Sequence, residues 1–263
     1  MRTWAPRRLT AGGGGRILPD LPMSEKFILN TAVRYGDVDR EELLSLPGFF
    51  KILQEAAIAH ANQFDTGTHA MLTRGESWMM NRLAVAIHRY PRYEEPVRVE
   101  TWSSGIKGFK GYREFRVHDG HGDLLLAGSS LWLYVSLRTK SIVRVPREVA
   151  AGFPMDASEQ FCAELESLEF AAPSAAARSV TITLRYADID ANAHVNHTAY
   201  LDFVQTALAR AGVPPRPGGV RIKYLKGIPA EAEAVNVRVA PRAQGAGFSI
   251  ECDETVCALG EVL

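Results

Sequence analysis

The chain has 263 residues, 46% apolar and 23% charged, and its 30 basic residues balance its 30 acidic ones. This composition is typical of a folded globular protein and excludes a largely disordered chain. No stretch approaches the ~20 apolar residues that a bilayer-spanning helix requires. The zero net charge argues against a protein that mainly binds nucleic acid.

Residues 1–22 differ from the rest of the chain. They carry four arginines, one acidic residue and the glycine run Gly12–Gly15, but not the apolar core of a secretory signal. We expect either a disordered extension or a start codon assigned too early, with Met23 as the true start. The three cysteines, Cys162, Cys252 and Cys257, form no Cys-x-x-Cys pair. They predict free thiols, no metal site and a cytoplasmic protein.

An internal repeat organises the remaining chain. The hexapeptide Arg34–Asp39 recurs as Arg185–Asp190 at an offset of 151 residues. The same offset, carried forward without a gap, pairs Phe49 with Tyr200. Such a continuation predicts two copies of one fold joined by a linker.

Each copy shows the same order of elements. The sequence pattern of the first copy predicts a strand at 27–35 and then an amphipathic helix that begins near Phe49. After the helix it predicts strands at 77–87, 97–103, 111–118, 124–137 and 141–145. The second predicts a strand at 179–186, a helix that begins near Tyr200, and strands at 220–224, 235–240, 247–253 and 256–263. A helix that is apolar on one face needs a sheet to bury that face. We therefore predict an α+β fold of two tandem hotdog domains, each a long helix wrapped by an antiparallel sheet.

The domain limits follow from composition. We expect an N-terminal hotdog at 23–147 and a C-terminal hotdog at 179–263. Between them, residues 148–178 form an acidic, alanine-rich linker, because residues 148–177 contain six acids and no Lys or Arg.

The two copies diverge directly after the repeated hexapeptide. Only the second places Asp190, Asn192, His194 and Asn196 just before the helix. A carboxylate there can act as a base toward water, and amide and backbone N–H groups can polarise a carbonyl oxygen. The imidazole can position water or move a proton. The structural alternative is that Asp190 and Asn192 only cap the helix.

Residues 185–196 resemble the Asp-x-Asn-x-His motif of the acyl-ACP thioesterases, the fatty-acyl chain terminators of plants and bacteria. The first copy is similar to that family in five further stretches: Trp78–Arg82, Arg89–Pro91, Glu100–Trp102, Tyr112–Phe115 and Leu131–Pro146. The likeness extends over about residues 27–260.

The resemblance implies hydrolysis of fatty acyl-ACP to free fatty acid and ACP, with no metal and no cofactor. It nominates Asp190, Asn192 and His194 as the catalytic residues. The family usually has a Glu where this chain has Gly227, and plant members often have a Cys where it has Ile228. A cysteine mechanism is therefore not expected. Glu231 or Glu233 is a candidate to replace the missing Glu.

The resemblance also implies that the N-terminal half holds the acyl chain. We assign substrate binding to Trp78, Met79, Met80 and Asn196, since flexible methionines suit chains of variable length. The alternative is that these side chains only pack in the core. His197 is expected to be exposed to solvent.

Basic residues are concentrated in the first copy, where residues 107–147 contain eight bases and three acids. The acidic acyl carrier protein could dock there, guided by complementary charge. The nominated docking residues are Lys107, Lys110, Arg138, Lys140 and Arg144. The alternative is a solvated strand face.

Two rival functions remain open from the sequence. One is an acyl-CoA thioesterase of the same fold, and the other is a non-catalytic acyl-binding protein, which Gly227 favours. No nucleic acid or membrane partner is expected. The two halves could pair only with each other within one chain, or two chains could also form a homodimer. The sequence leaves both possibilities open.

Overall fold

A computed structural model describes residues 26–64, 67–174 and 177–263, so the extension expected at 1–22 lies outside the described residues. The helices are α1 (Leu46–Ala61), α2 (Thr68–Arg74), α3 (Arg147–Ala151) and α4 (Ala199–Ala211). The strands are β1 (Phe27–Ala32), β2 (Glu76–Ile87), β3 (Pro96–Lys107), β4 (Lys110–Asp119), β5 (Leu124–Ser136), β6 (Ser141–Ile142), β7 (Arg178–Thr183), β8 (Gly219–Tyr224), β9 (Ala234–Pro241), β10 (Ala246–Cys252) and β11 (Thr255–Val262).

All ladders of the sheet are antiparallel, in the order β1-β3-β4-β5-β2-β8-β11-β10-β9-β7, with β6 paired to β5. Strands β1–β6 belong to the first copy and β7–β11 to the second. The α+β prediction of two helices wrapped by antiparallel strands is confirmed. The sequence did not show that β2 pairs with β8, from Arg82 opposite Lys223 to Ala86 opposite Gly219, which joins both halves into one sheet.

The two long helices lie on one face of this sheet, which we call the inner face. Helix α1 begins where Ser45 Oγ accepts the Gly48 N–H at 3.1 Å, and helix α4 ends at Gly212 in the left-handed conformation. Their apolar sides, which include Phe49 and Phe203, belong to one buried core that both copies share. Within the described ranges, no helix combines the length and apolar character needed to cross a bilayer.

The acidic linker packs on the opposite, outer face. Glu166 hydrogen-bonds to Lys110, and Glu169 pairs with Arg82 at 3.0 Å and with Lys223 at 2.7 Å. Arg82 belongs to the first copy and Lys223 to the second. The linker carboxylates therefore neutralise bases on both sides of the β2–β8 seam.

Candidate active site

A tight turn before α4 carries the predicted catalytic residues. The Asp190 N–H donates to the His194 carbonyl at 2.9 Å, and the Ala193 N–H donates to the Asp190 carbonyl at 3.1 Å. The Asp190 carboxylate accepts the Asn192 N–H at 2.8 Å. Ala193 has a φ of 58°, which lets the chain reverse. The structure thus brings Asp190, Asn192 and His194 together on one turn, which we call the catalytic turn after its predicted role.

An ion pair between the exposed Arg185 and the buried Asp188 supports this turn. Asp188 is buried and accepts a hydrogen bond from Arg185 at 2.6 Å, while its carbonyl accepts the Asn196 N–H at 2.8 Å. Arg185 and Asp188 both belong to the repeated hexapeptide. In the first copy, Asp37 pairs instead with Lys51, at 3.8 Å.

Helix capping does not explain the polar cluster. The N-cap of α4 is Thr198, without a capping bond from its side chain, and neither Asp190 nor Asn192 bonds to the helix. Asn196 Oδ1 accepts the Thr198 N–H at 2.9 Å and its hydroxyl at 3.0 Å. The side chain of Asn196 therefore shapes the approach to the helix, whereas those of Asp190 and Asn192 remain available.

The imidazole of His194 has a defined tautomer. Its Nδ1 lies 2.8 Å from the Asn192 carbonyl oxygen, which can only accept, so Nδ1 carries the proton. In the neutral ring, Nε2 then bears the lone pair and can take up a proton. The ring lies against Gly227, where an added Cβ would come within 2.9 Å of Cδ2 of His194. The ring thus uses space that a larger residue at 227 would need.

Two polar atoms of the catalytic turn lack protein partners. Asn192 Oδ1 is buried without a hydrogen bond, and Asp190 has no basic partner among the described residues. One Asp190 oxygen holds the turn, and the other is free to act on a bound molecule.

The same turn exists in the first copy with different chemistry. Asp39 accepts the Glu41 N–H at 2.8 Å, and its own N–H donates to the Leu43 carbonyl at 2.8 Å. Leu43 stands where the second copy has His194, and Arg216 pairs with Asp39 at 2.6 Å. The first turn therefore has no imidazole, and its carboxylate is neutralised.

His197 is not exposed as expected. Its ring packs edge-on against Trp132 at 5.6 Å and against Tyr224 at 6.3 Å. Burial lowers the pKa of His197 to about 4, so the ring is neutral near pH 7. The expectation was wrong because Trp132 comes from the other copy, and the local sequence gives no sign of it.

The loop at 224–229 forms the second wall of the site. Ile228 donates its N–H to Tyr200 Oη at 3.2 Å and accepts the Val195 N–H at 3.0 Å. Asn81 of the first copy donates to the Tyr224 carbonyl at 3.1 Å. These bonds hold Gly227 against the catalytic turn, and the sequence had not nominated Tyr200, Tyr224 or Asn81.

Glu231 and Glu233, the candidates for the missing Glu, are both exposed. Neither side chain hydrogen-bonds to the catalytic turn among the described residues. The geometry thus offers no replacement carboxylate from this loop.

The nominated substrate residues separate onto two faces of β2. Trp78 and Met80 point to the inner face, where Trp78 packs edge-on against Tyr134 at 4.9 Å and Met80 lies opposite Trp132. Met79 points to the outer face and is 40% exposed. Trp78, Met80 and Trp132 remain partly exposed although they lie on the inner face. Trp132 contacts His197, so this part of the inner face adjoins the start of α4.

The nominated docking residues cluster at one end of the sheet. Lys107, Arg138, Lys140 and Arg144 are exposed on the β3–β4 turn and on the chain that follows β5. Strand β5 ends four residues after Trp132, so these bases lie toward the same end of the sheet as the catalytic turn. Lys110 differs, because Glu166 of the linker already pairs with it.

The described residues contain no cluster of three or more His, Cys, Asp or Glu side chains suited to a metal. All three cysteines are free, and burial raises the pKa of each thiol. The raised pKa values disfavour a thiolate nucleophile.

The family profiles for the acyl-ACP thioesterase N-terminal and C-terminal domains match residues 24–153 and 172–253. The chain belongs to the acyl-ACP thioesterase family. Similar curated proteins include a chloroplastic palmitoyl-acyl carrier protein thioesterase from Gossypium hirsutum, 26% identical over 78% of this chain and 52% of that protein. A chloroplastic dodecanoyl-[acyl-carrier-protein] hydrolase from Cinnamomum camphora is 30% identical over 66% of this chain and 48% of that protein. This acyl-ACP thioesterase family member spans about half the length of the curated relatives it matches.

Solved structures share the fold. The 12:0-ACP thioesterase from Umbellularia californica superposes with a TM-score of 0.76 at 20% identity, covering 91% of this chain and 96% of that one. A putative oleoyl thioesterase from Lactobacillus plantarum gives a TM-score of 0.78 at 20% identity, covering 92% and 96%. At this identity the superpositions establish only the fold, a tandem hotdog.

Proposed function

We propose that this thioesterase hydrolyses fatty acyl-ACP to free fatty acid and ACP, which ends fatty acid synthesis. The observation that carries the proposal is the catalytic turn, which presents an unpaired Asp190 carboxylate beside Asn192 and His194. The corresponding turn of the first copy lacks the imidazole and has its carboxylate paired with Arg216. Catalysis is therefore assigned to the second copy alone.

The turn suggests a direct hydrolysis. The free oxygen of Asp190 accepts a proton from water, and the hydroxide adds to the thioester carbonyl carbon. The side-chain amide N–H of Asn192 stabilises the oxyanion. The C–S bond then breaks, and His194 Nε2 relays the proton from Asp190 to the departing thiolate. Water and acyl thioester thus become carboxylic acid and thiol.

The acyl chain is proposed to lie in a recess on the inner face of the first copy, next to His197. Trp78, Met80 and Trp132 supply its apolar lining. Met79 is left out because it faces the outer side of the sheet. Asn196 acts indirectly, since its amide oxygen is engaged by Thr198.

The carrier is proposed to dock on Lys107, Arg138, Lys140 and Arg144. These exposed bases lie toward the catalytic end of the sheet, and an acidic carrier would be guided to them by charge. Lys110 contributes less, because Glu166 neutralises it. We also propose a cytoplasmic location, which rests on the three free thiols.

The deciding assay compares turnover of acyl-ACP and acyl-CoA that carry the same chain. We expect a higher kcat/KM on acyl-ACP, because an acidic carrier protein offers the basic patch more anionic groups than the phosphates of CoA do. Faster turnover of acyl-CoA would identify the rival thioesterase activity. Acyl-ACP binding without hydrolysis would reject catalysis altogether.

A further inference from the structure

A buried polar cluster lies on the inner face of the first copy. His60, in the last turn of α1, is fully buried. Arg113 on β4 donates from Nη1 to His60 Nδ1 and to Thr101 Oγ1, both at 3.1 Å. Aromatic rings surround His60, with centroids 5.6 Å away for Phe27, 5.5 Å for Phe64 and 5.0 Å for Phe153.

Among the described residues, the charge of Arg113 faces the ring of Phe153, 5.6 Å from Cζ, but no carboxylate forms an ion pair with it. Its two hydrogen-bond partners, His60 and Thr101, are neutral. Desolvation lowers the pKa of the guanidinium to about 10, which leaves it charged near pH 7. An arginine in such apolar surroundings is rarely found without an anionic partner, because its desolvation is then poorly compensated.

The unused polar atoms of this cluster are all donors. A guanidinium can only donate, so His60 Nδ1 accepts and the imidazole proton is on Nε2. That Nε2 is buried and has no hydrogen-bond partner. Arg113 has further N–H groups beyond the two bonds from Nη1. A group that completes the cluster must therefore supply acceptor atoms, and the positive charge favours an anionic oxygen.

The cluster adjoins the proposed acyl recess. Arg113 lies opposite Ser130 in the β4–β5 ladder, and Trp132 is two residues further along the same face of β5. Ser130 Oγ accepts the Trp132 indole N–H at 2.8 Å and donates to the Arg113 carbonyl at 3.3 Å. Trp132 in turn contacts His197 beside the catalytic turn. Arg113 itself remains partly exposed although it lies between the sheet and α1.

We propose that Arg113, supported by His60, binds an oxygen at the far end of the acyl chain, and that the enzyme prefers chains ending in a carboxylate. The inference rests on the proposed hydrolysis of acyl-ACP. A chain that enters at the catalytic turn and passes Trp132 reaches Arg113. A plain alkyl end leaves the charge and the donors there unpaired, and a site built this way discriminates against it.

The first test compares kcat/KM for ω-carboxyacyl-ACP and plain acyl-ACP over a series of matched chain lengths. We expect the wild type to favour the carboxylate-ended chain about tenfold or more at its best length, the factor that one charge-assisted hydrogen bond supplies. Arg113→Met should abolish that preference. Arg116→Met is the matched control, because Arg116 is on the same strand but packs over Trp102 away from His60. Equal kcat/KM values for both substrates in the wild type would overturn the proposal.

The second test needs no turnover. Calorimetric titration with free dodecanedioic acid and dodecane-1,12-diol, which has no carboxylate, should show tighter binding of the diacid to the wild type. Arg113→Met should weaken the diacid about tenfold or more and leave the diol unchanged. Equal affinities of the wild type for both compounds would also overturn the proposal. Selective diacid binding by a protein that hydrolyses no acyl-ACP would support this site and reject the proposed function.

Discussion

The Asp39 carboxylate accepts a hydrogen bond from Arg216 at 2.6 Å, which ties the turn of the first copy to a loop of the second. Asp190 occupies the equivalent position in the second copy and has no such partner among the described residues. Both aspartates hold their own turn through the N–H two residues later, at 2.8 Å in each case. Both copies therefore contain the same backbone turn, but only in the second copy is a carboxylate oxygen, that of Asp190, available for chemistry.

Replacing Asp190 with Asn should abolish thioesterase activity without unfolding the protein. The amide oxygen can still accept the Asn192 N–H, so the turn is preserved, but the base is lost. We expect kcat to fall by about 10²–10⁴-fold, the usual contribution of a general base. Steady-state kinetics on acyl-ACP and a thermal unfolding curve measure both effects.

Asp39→Asn is the matched control for Asp190→Asn. It removes the charge that pairs with Arg216, so it should lower the free energy of unfolding by about 1 kcal/mol and change kcat little. If Asp190→Asn left turnover intact while Asp39→Asn reduced it, the assignment of the catalytic copy would be reversed.

Gly227→Ala should lower kcat with little change in KM. The new Cβ would meet the His194 ring at 2.9 Å, so the imidazole has to move away from its place on the catalytic turn. Small misplacements of a catalytic group cost roughly 10–100-fold in rate. Gly36→Ala serves as the control, since an added Cβ there meets no atom within 4 Å. An unchanged kcat would argue that His194 does not act in the rate-limiting step.

The sequence was sufficient for features that depend on nearby residues. The repeat identified both turns, because the hexapeptide and the positions after it are contiguous. The sequence could not predict that Trp132 packs against His197, because that contact depends on how the two copies meet across β2 and β8. Met79 is different, because strand alternation alone would have placed it opposite Trp78 and Met80.

Reversing the charges of Arg138, Lys140 and Arg144 to Glu should raise KM for acyl-ACP about tenfold at low salt. The effect should shrink as salt screens the surface charges, and turnover of an uncharged acyl-N-acetylcysteamine thioester should not change. Arg178→Glu, an exposed substitution at the start of β7, is the control. An equal rise in KM for the uncharged thioester would show that the triple variant damages the active site rather than the docking surface.

Acidification should destabilise the protein through His197. Its pKa is about 4 in the folded state against 6.5 for an unperturbed histidine, so the unfolded chain binds more protons between those values. The stability that the neutral ring contributes is complete above pH 6.5 and is lost as the pH falls toward 4. His197→Phe keeps a ring between Trp132 and Tyr224 but cannot titrate, so its free energy of unfolding should fall less steeply over that window. Urea unfolding at several pH values measures the slope, with exposed His88→Gln as the control. Parallel slopes for the wild type and His197→Phe would mean that His197 is protonated equally in the folded and unfolded states.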